Sequence, residues 1–263
     1  MASLCTLASS SAGNSTYIAC STGMILIDAG VSCRKITLAL ETLGAQASDL
    51  CAVLLTHDHI DHIRGLRVLL KKTQAVLYAP SEVLDSVMRQ GMLPEDTVSE
   101  TVGDKSFLAG GMQILAFPTP HDSAGSVGYR VETADGHRLA VATDLGCVTD
   151  AVERGVAGCE AVVLESNYDP TLLRMGSYPY FLKQRIASDQ GHLANEHSAD
   201  FARRLVEGGT TRLVLGHLSR ENNNPALARQ ASACALQAAG AVEGLDYELM
   251  VAPYDGPGRL IRI

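Results

Sequence analysis

Short apolar runs recur along the chain, each bounded by Gly, Pro, Asn or Asp. Runs of four to seven residues with such borders predict strands. They fall at Thr16–Ala19, Met24–Ile27, Ala52–Leu55, Ala75–Ala79, Gln113–Phe117 and Val127–Thr133. A further set follows at Arg138–Ala142, Ala161–Glu165, Arg212–Leu215, Glu248–Ala252 and Arg259–Ile263. Apolar residues spaced by three and four predict helices at Ile36–Leu43, Gly65–Lys72, Glu82–Gln90, Glu196–Glu207 and Pro225–Ala239. Asn224 is placed to cap the last helix, with Pro225 at its first position, and Asn195 to cap the one before. The segment "TADGHR" predicts a hairpin turn centred on Asp-Gly. Strands come first, then strands mixed with helices, and the order repeats in the second half. That order suggests an α/β fold in which two sheets pack face to face with helices outside, a four-layer αββα sandwich. No linker, low-complexity tract or internal repeat interrupts residues 1–263, so a single domain is expected.

Composition then excludes several function classes. With 46% hydrophobic and 19% charged residues, the chain is a well-packed globule rather than a disordered one. Its formal charge of −8 argues against broad, non-specific affinity for nucleic acid, because phosphate neutralisation needs Lys and Arg. A local basic or metal-lined cleft remains compatible with that charge. Aromatic content of 5%, without Trp, argues against a stacking surface built from many rings. The seven cysteines are odd in number and form no C-x-x-C pair, which speaks against a disulfide framework or a zinc knuckle. Most are expected to be small buried apolar residues. No leader-like segment and no membrane-length apolar run is found, so a cytoplasmic protein with no membrane partner is expected.

The chemistry is concentrated in "THDHIDH", where His57, Asp58, His59, Asp61 and His62 crowd together directly after an apolar run. Imidazoles and carboxylates at that density repel when like-charged and are costly to bury unpaired. A divalent metal removes both objections. His57 and His59, two apart in extended chain, can face one ion, while Asp61 and His62 follow a turn and suit a second. Further ligands have to come from elsewhere. His121 follows "QILAF", Asp144 ends "LAVATD" and His217 ends "RLVLGH", so each is a ligand type at the carboxyl end of an apolar run. Either histidine alone would more commonly be structural; beside the cluster, both become candidate ligands. Asp28, at the end of "MILID", shares the placement but suits an outer role, orienting a ligand imidazole. His137, in the hairpin turn, and His197, in a first helical turn, are expected at the surface.

The motifs "LIDAG", "THDHIDH", His121, "ATD" and "GHLS" resemble, in content and order, those of the metallo-β-lactamase superfamily. The resemblance implies an αββα sandwich with a binuclear centre at one edge. His57, His59 and His121 would hold the first metal, Asp61, His62 and His217 the second, and Asp144 would bridge them. True β-lactamases carry a cysteine where Asp144 stands, and the β-CASP nucleases need a large cap for which the span from Asp144 to His217 is too short. The stretches "LASSSAGNSTYI", "LESNYD", "GHLANEHS" and "GHLSRENNNP" resemble the small bacterial exonuclease-type proteins of the YycJ/WalJ family, which are linked to DNA mismatch repair and a cell-wall regulatory operon.

What that resemblance implies is a binuclear metal-dependent phosphodiesterase, a 5′-to-3′ DNA exonuclease linked to DNA repair, with zinc, manganese or iron as its two divalent ions. The alternative is a hydrolase of a small ester, thioester or cyclic phosphate using the same metals. A binding protein with a vestigial site is disfavoured by the full ligand set. The Ser/Gly-rich stretch Ser9–Ser15 could line a phosphate nest, through Ser11 and Asn14, or be an ordinary tight turn. Asn167, Arg220 and Asn222 are further candidate substrate contacts. Ribonuclease Z carries a histidine near the scissile phosphate in a G-H-S-T segment, beside a glutamate from a strand end. Here His192 and Glu165 match those positions, although Ala194 and Asn195 depart from the Ser-Thr pattern. Glu165 is therefore expected to orient His192 and keep it protonated as donor to the leaving oxygen; a packing role at a helix start is the alternative. Asp61, Glu165 and His192 are the expected catalytic residues.

Overall fold

The computed structural model describes residues 1–263. One sheet is built from β1 (Ser3–Ser10), β2 (Gly13–Cys20), β3 (Gly23–Ile27), β4 (Leu50–Leu54), β5 (Val76–Ala79) and β6 (Ser99–Thr101). The other contains β7 (Phe107–Ala109), β8 (Met112–Pro118), β9 (Val127–Glu132), β10 (Arg138–Ala142), β11 (Ala161–Glu165), β12 (Arg212–Gly216) and β13 (Glu248–Val251). The chain ends in β14 (Ile261–Arg262), which returns to the first sheet beside β1. The sheet orders are β14-β1-β2-β3-β4-β5-β6 and β13-β12-β11-β10-β9-β8-β7. Each sheet is half antiparallel and half parallel. The direction changes at its central strand: β3 pairs antiparallel with β2 and parallel with β4, and β10 pairs antiparallel with β9 and parallel with β11.

Parallel pairing demands crossovers, and helices supply most of them. α1 (Cys33–Thr42), α2 (Ile60–Ile63), α3 (Leu66–Leu70) and α4 (Ser81–Arg89) serve the first sheet. α5 (Asp150–Val156), α6 (Pro170–Met175), α7 (Tyr180–Ile186), α8 (Asn195–Glu207) and α9 (Pro225–Ala238) serve the second. The period-two pleat sorts each parallel strand between two cores. Ile25, Ile27 and Leu54 face the other sheet, where they meet Ile114, Tyr129, Val141 and Val163. Leu26 and Val53 face outward onto Ile36, Leu40, Leu69 and Val83. On the far side, Val162, Leu164 and Leu213 pack with Val152, Phe201, Leu205 and Leu236. The architecture is the αββα sandwich that the hydrophobic pattern suggests.

The structure corrects several local expectations. β1 lies outside the expected runs, because its serines, threonine and cysteine are buried by pairing with β2 and β14 rather than by their own hydrophobicity. Ser9–Ser15 is not a loop: Ser9 and Ser10 end β1, Gly13–Ser15 open β2, and only Ser11 and Ala12 turn. The N–H groups of Ser10 and Ala12 are spent on Asn14 Oδ1 and Ser10 Oγ, which leaves little of a nest. Asn195 does not cap α8; its side chain is buried and accepts from Ser166 Oγ at 2.7 Å. Asn224 does cap α9, accepting from the Leu227 N–H at 3.0 Å. Of the cysteines only Cys5, Cys33 and Cys159 are buried, and Cys51 and Cys234 are exposed. His197 is exposed, whereas His137 is partly buried against Glu160, with Nδ1 3.0 Å from its carboxylate. No helix is long and apolar enough to cross a membrane.

Candidate metal centre

The parallel halves of both sheets point their carboxyl ends toward one edge, and the chain is bent sharply there. Asp28, Asp144 and His217 are the non-glycine residues with positive φ, at 61°, 60° and 54°. Each sits just past a strand: β3, β10 or β12. The left-handed conformation costs such a residue about 1–2 kcal/mol, so the surroundings have to hold it in place. Around His217 they do: its N–H donates to Ser9 Oγ at 2.8 Å, and its carbonyl accepts from Asn167 Nδ2 at 2.7 Å.

The structure brings the seven expected ligands together. Their donor atoms form overlapping clusters, within 4.8 Å of one another in each: His57, His59 and His121; His57, His62 and Asp144; Asp61, His62 and His217. Neighbours fix the ring orientations. His62 Nδ1 lies 2.7 Å from Asp28 Oδ2, His217 Nδ1 lies 2.7 Å from Glu165 Oε1, and His121 Nδ1 donates to the Gly191 carbonyl at 3.0 Å. The second nitrogen of each ring is thereby turned inward. Asp58 anchors the turn between His57 and His59 by accepting from Ser123 Oγ at 2.6 Å and from Ser86 Oγ.

Whether an ion fits can be judged from groups that nothing else satisfies. His57 Nε2, His217 Nε2 and Asp144 Oδ2 are buried without a hydrogen-bond partner. An unpaired buried polar atom costs about 1–3 kcal/mol, so three within one cluster mark a place for a ligand. Imidazole nitrogens and carboxylate oxygens suit divalent metals.

Electrostatics divide the imidazoles: His57 is held neutral, whereas around His62 and His217 burial is outweighed by carboxylates that favour a positive charge there, a place an ion would take from the proton. Burial, with His62 beside it, holds His57 well below its usual pKa, as the neutral form a metal needs. Burial also opposes charge on His62, but Asp28, Asp144 and Asp61 outweigh it and lift this imidazole to about 9. Burial works against Asp144 as an anion, yet His217, His62, His57 and His121 hold its carboxyl well below the usual range. For Asp61 burial is again outweighed, by His62 and His217. Asp144 Oδ2 lies 3.3 Å from His62 Nε2, and its Oδ1 lies 3.4 Å from His217 Nδ1 and 3.6 Å from His121 Nε2. It stands between the two histidine groups.

The sequence model described as "Beta-lactamase superfamily domain" matches residues 24–218, from the strand that carries Asp28 to the residue after His217. The chain belongs to the β-lactamase superfamily. Within it, Exodeoxyribonuclease WalJ of Streptococcus pneumoniae is 36% identical over 248 residues, covering 92% of this chain and 91% of that protein. Exodeoxyribonuclease YycJ of Bacillus anthracis is 35% identical over 246 residues and 92% of each chain. The crystal structure of zinc-bound PqqB from Methylobacterium extorquens shares the fold, with a TM-score of 0.75 at 20% identity over 100% of both chains. This YycJ/WalJ-like superfamily member is a metal-dependent hydrolase.

The superfamily centre has a second layer. Glu165 Oε1 accepts from both His192 Nδ1, at 2.9 Å, and His217 Nδ1, while Oε2 accepts from the Leu145 N–H at 2.6 Å and the Leu193 N–H at 3.4 Å. Glu165, His192, Asp144 and His217 also lie close enough to hold an ion. Glu165 is a poor ligand all the same, since its acceptor sites are already filled, and positioning two imidazoles is the role its geometry fits. His192 stays partly exposed, its ring centroid 5.1 Å from His121 and 5.2 Å from His217.

Among the candidate substrate contacts, Asn222 is misassigned. It is 1% exposed, its N–H donates to Ser219 Oγ at 3.1 Å, and its carbonyl accepts from the Asp169 N–H at 2.8 Å, so it builds the loop and faces no substrate. Asn167 is likewise buried, as the brace behind His217. Asn14 reaches the centre itself, with Nδ2 3.3 Å from Asp61 Oδ2 and 3.0 Å from His62 Nε2. Ser11 is exposed at the hairpin tip. Arg220 pairs with Asp255 and stacks over Tyr254 at 5.2 Å. With Lys35, Arg64 and Asp255, the acid that also pairs with Lys35, it lines a cavity of about 420 Å³ beside the hairpin tip. Sequence reasoning passed over Asn223, whose amide pairs reciprocally with that of Asn195 at 2.9 Å and ties the start of α8 to the "ENNNP" loop. Its signal was the triple Asn, in which polarity alone singles out no member.

Proposed function

We propose that this hydrolase is a binuclear phosphodiesterase acting on DNA, a 5′-to-3′ exodeoxyribonuclease that serves DNA repair in the cytoplasm. The observation that carries the reading is the cavity beside the hairpin tip, lined by Lys35, Arg64, Arg220 and Asp255, with Arg64 two positions after His62 in sequence. Three cations against one acid, Asp255, leave that lining net positive, which suits a strand carrying a phosphate on each nucleotide better than a neutral ester. The names of the WalJ and YycJ relatives, both exodeoxyribonucleases, support that reading, and the 5′-to-3′ polarity and the repair role are what the sequence resemblance implies.

His57, His59 and His121 would hold one ion and Asp61, His62 and His217 the other, with Asp144 between them. Zinc, manganese and iron all accept such ligands. Bound there, the ions would supply water activation and neutralise charge developing on the phosphate. The chain's own residues do the rest. Asp61, braced by Asn14, keeps a carboxylate at the open side of the centre. Glu165 commits His192 Nδ1, which leaves Nε2 to hold a proton for the leaving oxygen.

The test is hydrolysis of single- and double-stranded DNA, labelled at either end, beside bis-p-nitrophenyl phosphate and a thioester. DNA turnover should fall steeply with salt while that of the small diester stays nearly flat, because only an extended strand displaces many counterions. Equal slopes, or a preference for the thioester, would make it a small-molecule hydrolase. Metal analysis of protein purified without chelator should approach two equivalents; one equivalent after reconstitution would end the binuclear reading.

A further inference from the structure

Between Glu165 and His192 the chain leaves the sandwich and returns, carrying α6 and α7. The stretch Pro170–Ser188 contains Arg174, Lys183 and Arg185 and no acid, in a chain with 29 acidic residues. α7 buries none of its residues. Met175, Tyr180 and Phe181 are 78%, 74% and 72% exposed, among the most exposed large apolar side chains of the molecule. A segment with those properties contributes little to the core, and its composition calls for an occupant. Beneath it, a cleft of about 420 Å³ is lined by Leu173, Tyr180 and Lys183, with Glu196 as its acid.

The arm is fastened to the metal centre at its far end. The Ile186 carbonyl, closing α7, accepts from the His192 N–H at 2.9 Å. Arg185 pairs with Asp122, the residue after His121, and Gly191 supplies the carbonyl that orients His121. Whatever lies on the arm is therefore led toward His121 and His192.

We propose that this arm is a base-stacking platform for a single strand of nucleic acid, with the exposed rings of Tyr180 and Phe181 at the start of α7 offered to its bases and Arg174 and Lys183 along the phosphates. Rings interleaved with cations, on a segment that carries no acid of its own, are the chemistry that holds single strands without regard to sequence. Two rings suffice for that, so the low aromatic content of the chain is no obstacle. The inference rests on the nucleic-acid reading above and adds where the strand is gripped.

The chain lacks Trp, so Phe181→Trp places a lone indole on α7 of the metal-loaded enzyme. Titration with a short single-stranded phosphorothioate, which resists cleavage, is expected to quench its fluorescence. In parallel, a Tyr180→Ala/Phe181→Ala variant should lower kcat/KM on single-stranded DNA, relative to that on bis-p-nitrophenyl phosphate, by about 5- to 100-fold. Cleavage of DNA with no quenching and an unchanged ratio would overturn the platform and leave the nuclease reading standing. Quenching without DNA cleavage would keep the platform and sink that reading; neither would sink both. An indole signal that follows protein concentration without oligonucleotide would show instead that the arm joins copies of the chain.

Discussion

Asp28 and Asp144 occupy matching places in the two sheets. Each follows the central strand at which pairing changes from antiparallel to parallel, each has φ near 60°, and each is 2% exposed. Their surroundings differ. Asp28 is satisfied by protein: Oδ1 accepts from the Thr56 N–H at 2.9 Å, and Oδ2 from Thr56 Oγ1 at 2.8 Å and from His62 Nδ1. Asp144 faces four imidazoles and keeps Oδ2 without a partner. The same backbone device thus delivers two carboxylates to one edge, and the first orients a ligand while the second is left for an ion. A strained turn marks the edge where the site lies; what a side chain does there depends on whether the protein has already used its lone pairs.

That contrast can be broken by substitution. The largest effect is expected from Asp144→Ala, which should cut metal content from two equivalents to below one and lower turnover by about 10³-fold, read by elemental analysis and kcat. It should also abolish thermal stabilisation by metal. In the parent protein, two ions each at about 1,000 times their Kd should add about 8 kcal/mol, some 20 °C in Tm, all of it lost to a chelator. If Asp144→Ala kept both ions, the orphaned oxygen would have been misread.

Two changes in the second sheet separate positioning from proton delivery. His192→Ala should keep both metals and lower kcat on DNA by about 10²–10⁴-fold, with much of the loss recovered on a diester whose leaving group needs no proton. Glu165→Gln should match that loss and also loosen His217, so metal content falls too. A His192→Ala protein that lost metal, or an unchanged turnover, would show that the histidine has another task.

In the first sheet the effects shrink. Asp28→Asn, tolerated at positive φ, should weaken metal binding by about 10–100-fold in a competition titration, since only the orientation of His62 is disturbed. Thr56→Val removes one hydroxyl bond to Asp28 and should cost about 1 kcal/mol in denaturant unfolding, with both ions retained. An Asp28 variant as damaging as Asp144→Ala would erase the distinction between the two carboxylates.

Much of this could be read before any coordinates. Strand period and run length define the sandwich because each parallel strand is apolar on both faces, and ligand types at run ends stand out against them. β1 escaped because its burial comes from partners distant in sequence. The triple Asn misled because Asn222 is consumed by Asp169 and Ser219, contacts that no local pattern reports.

The sequence by itself determined the kind of chemistry: imidazoles and carboxylates placed where apolar runs stop, in a number only metal ions make tolerable. It placed Asp28 in "LIDAG" and Asp144 in "ATDLG" alike at run ends, with an outer role expected for the first, a ligand's for the second and the positioning of His192 for Glu165. Tertiary structure decided which lone pairs are already used, because hydrogen-bond saturation is a property of neighbours. Thr56 and His62 fill Asp28, two imidazoles and two backbone N–H groups fill Glu165, and nothing fills Asp144 Oδ2.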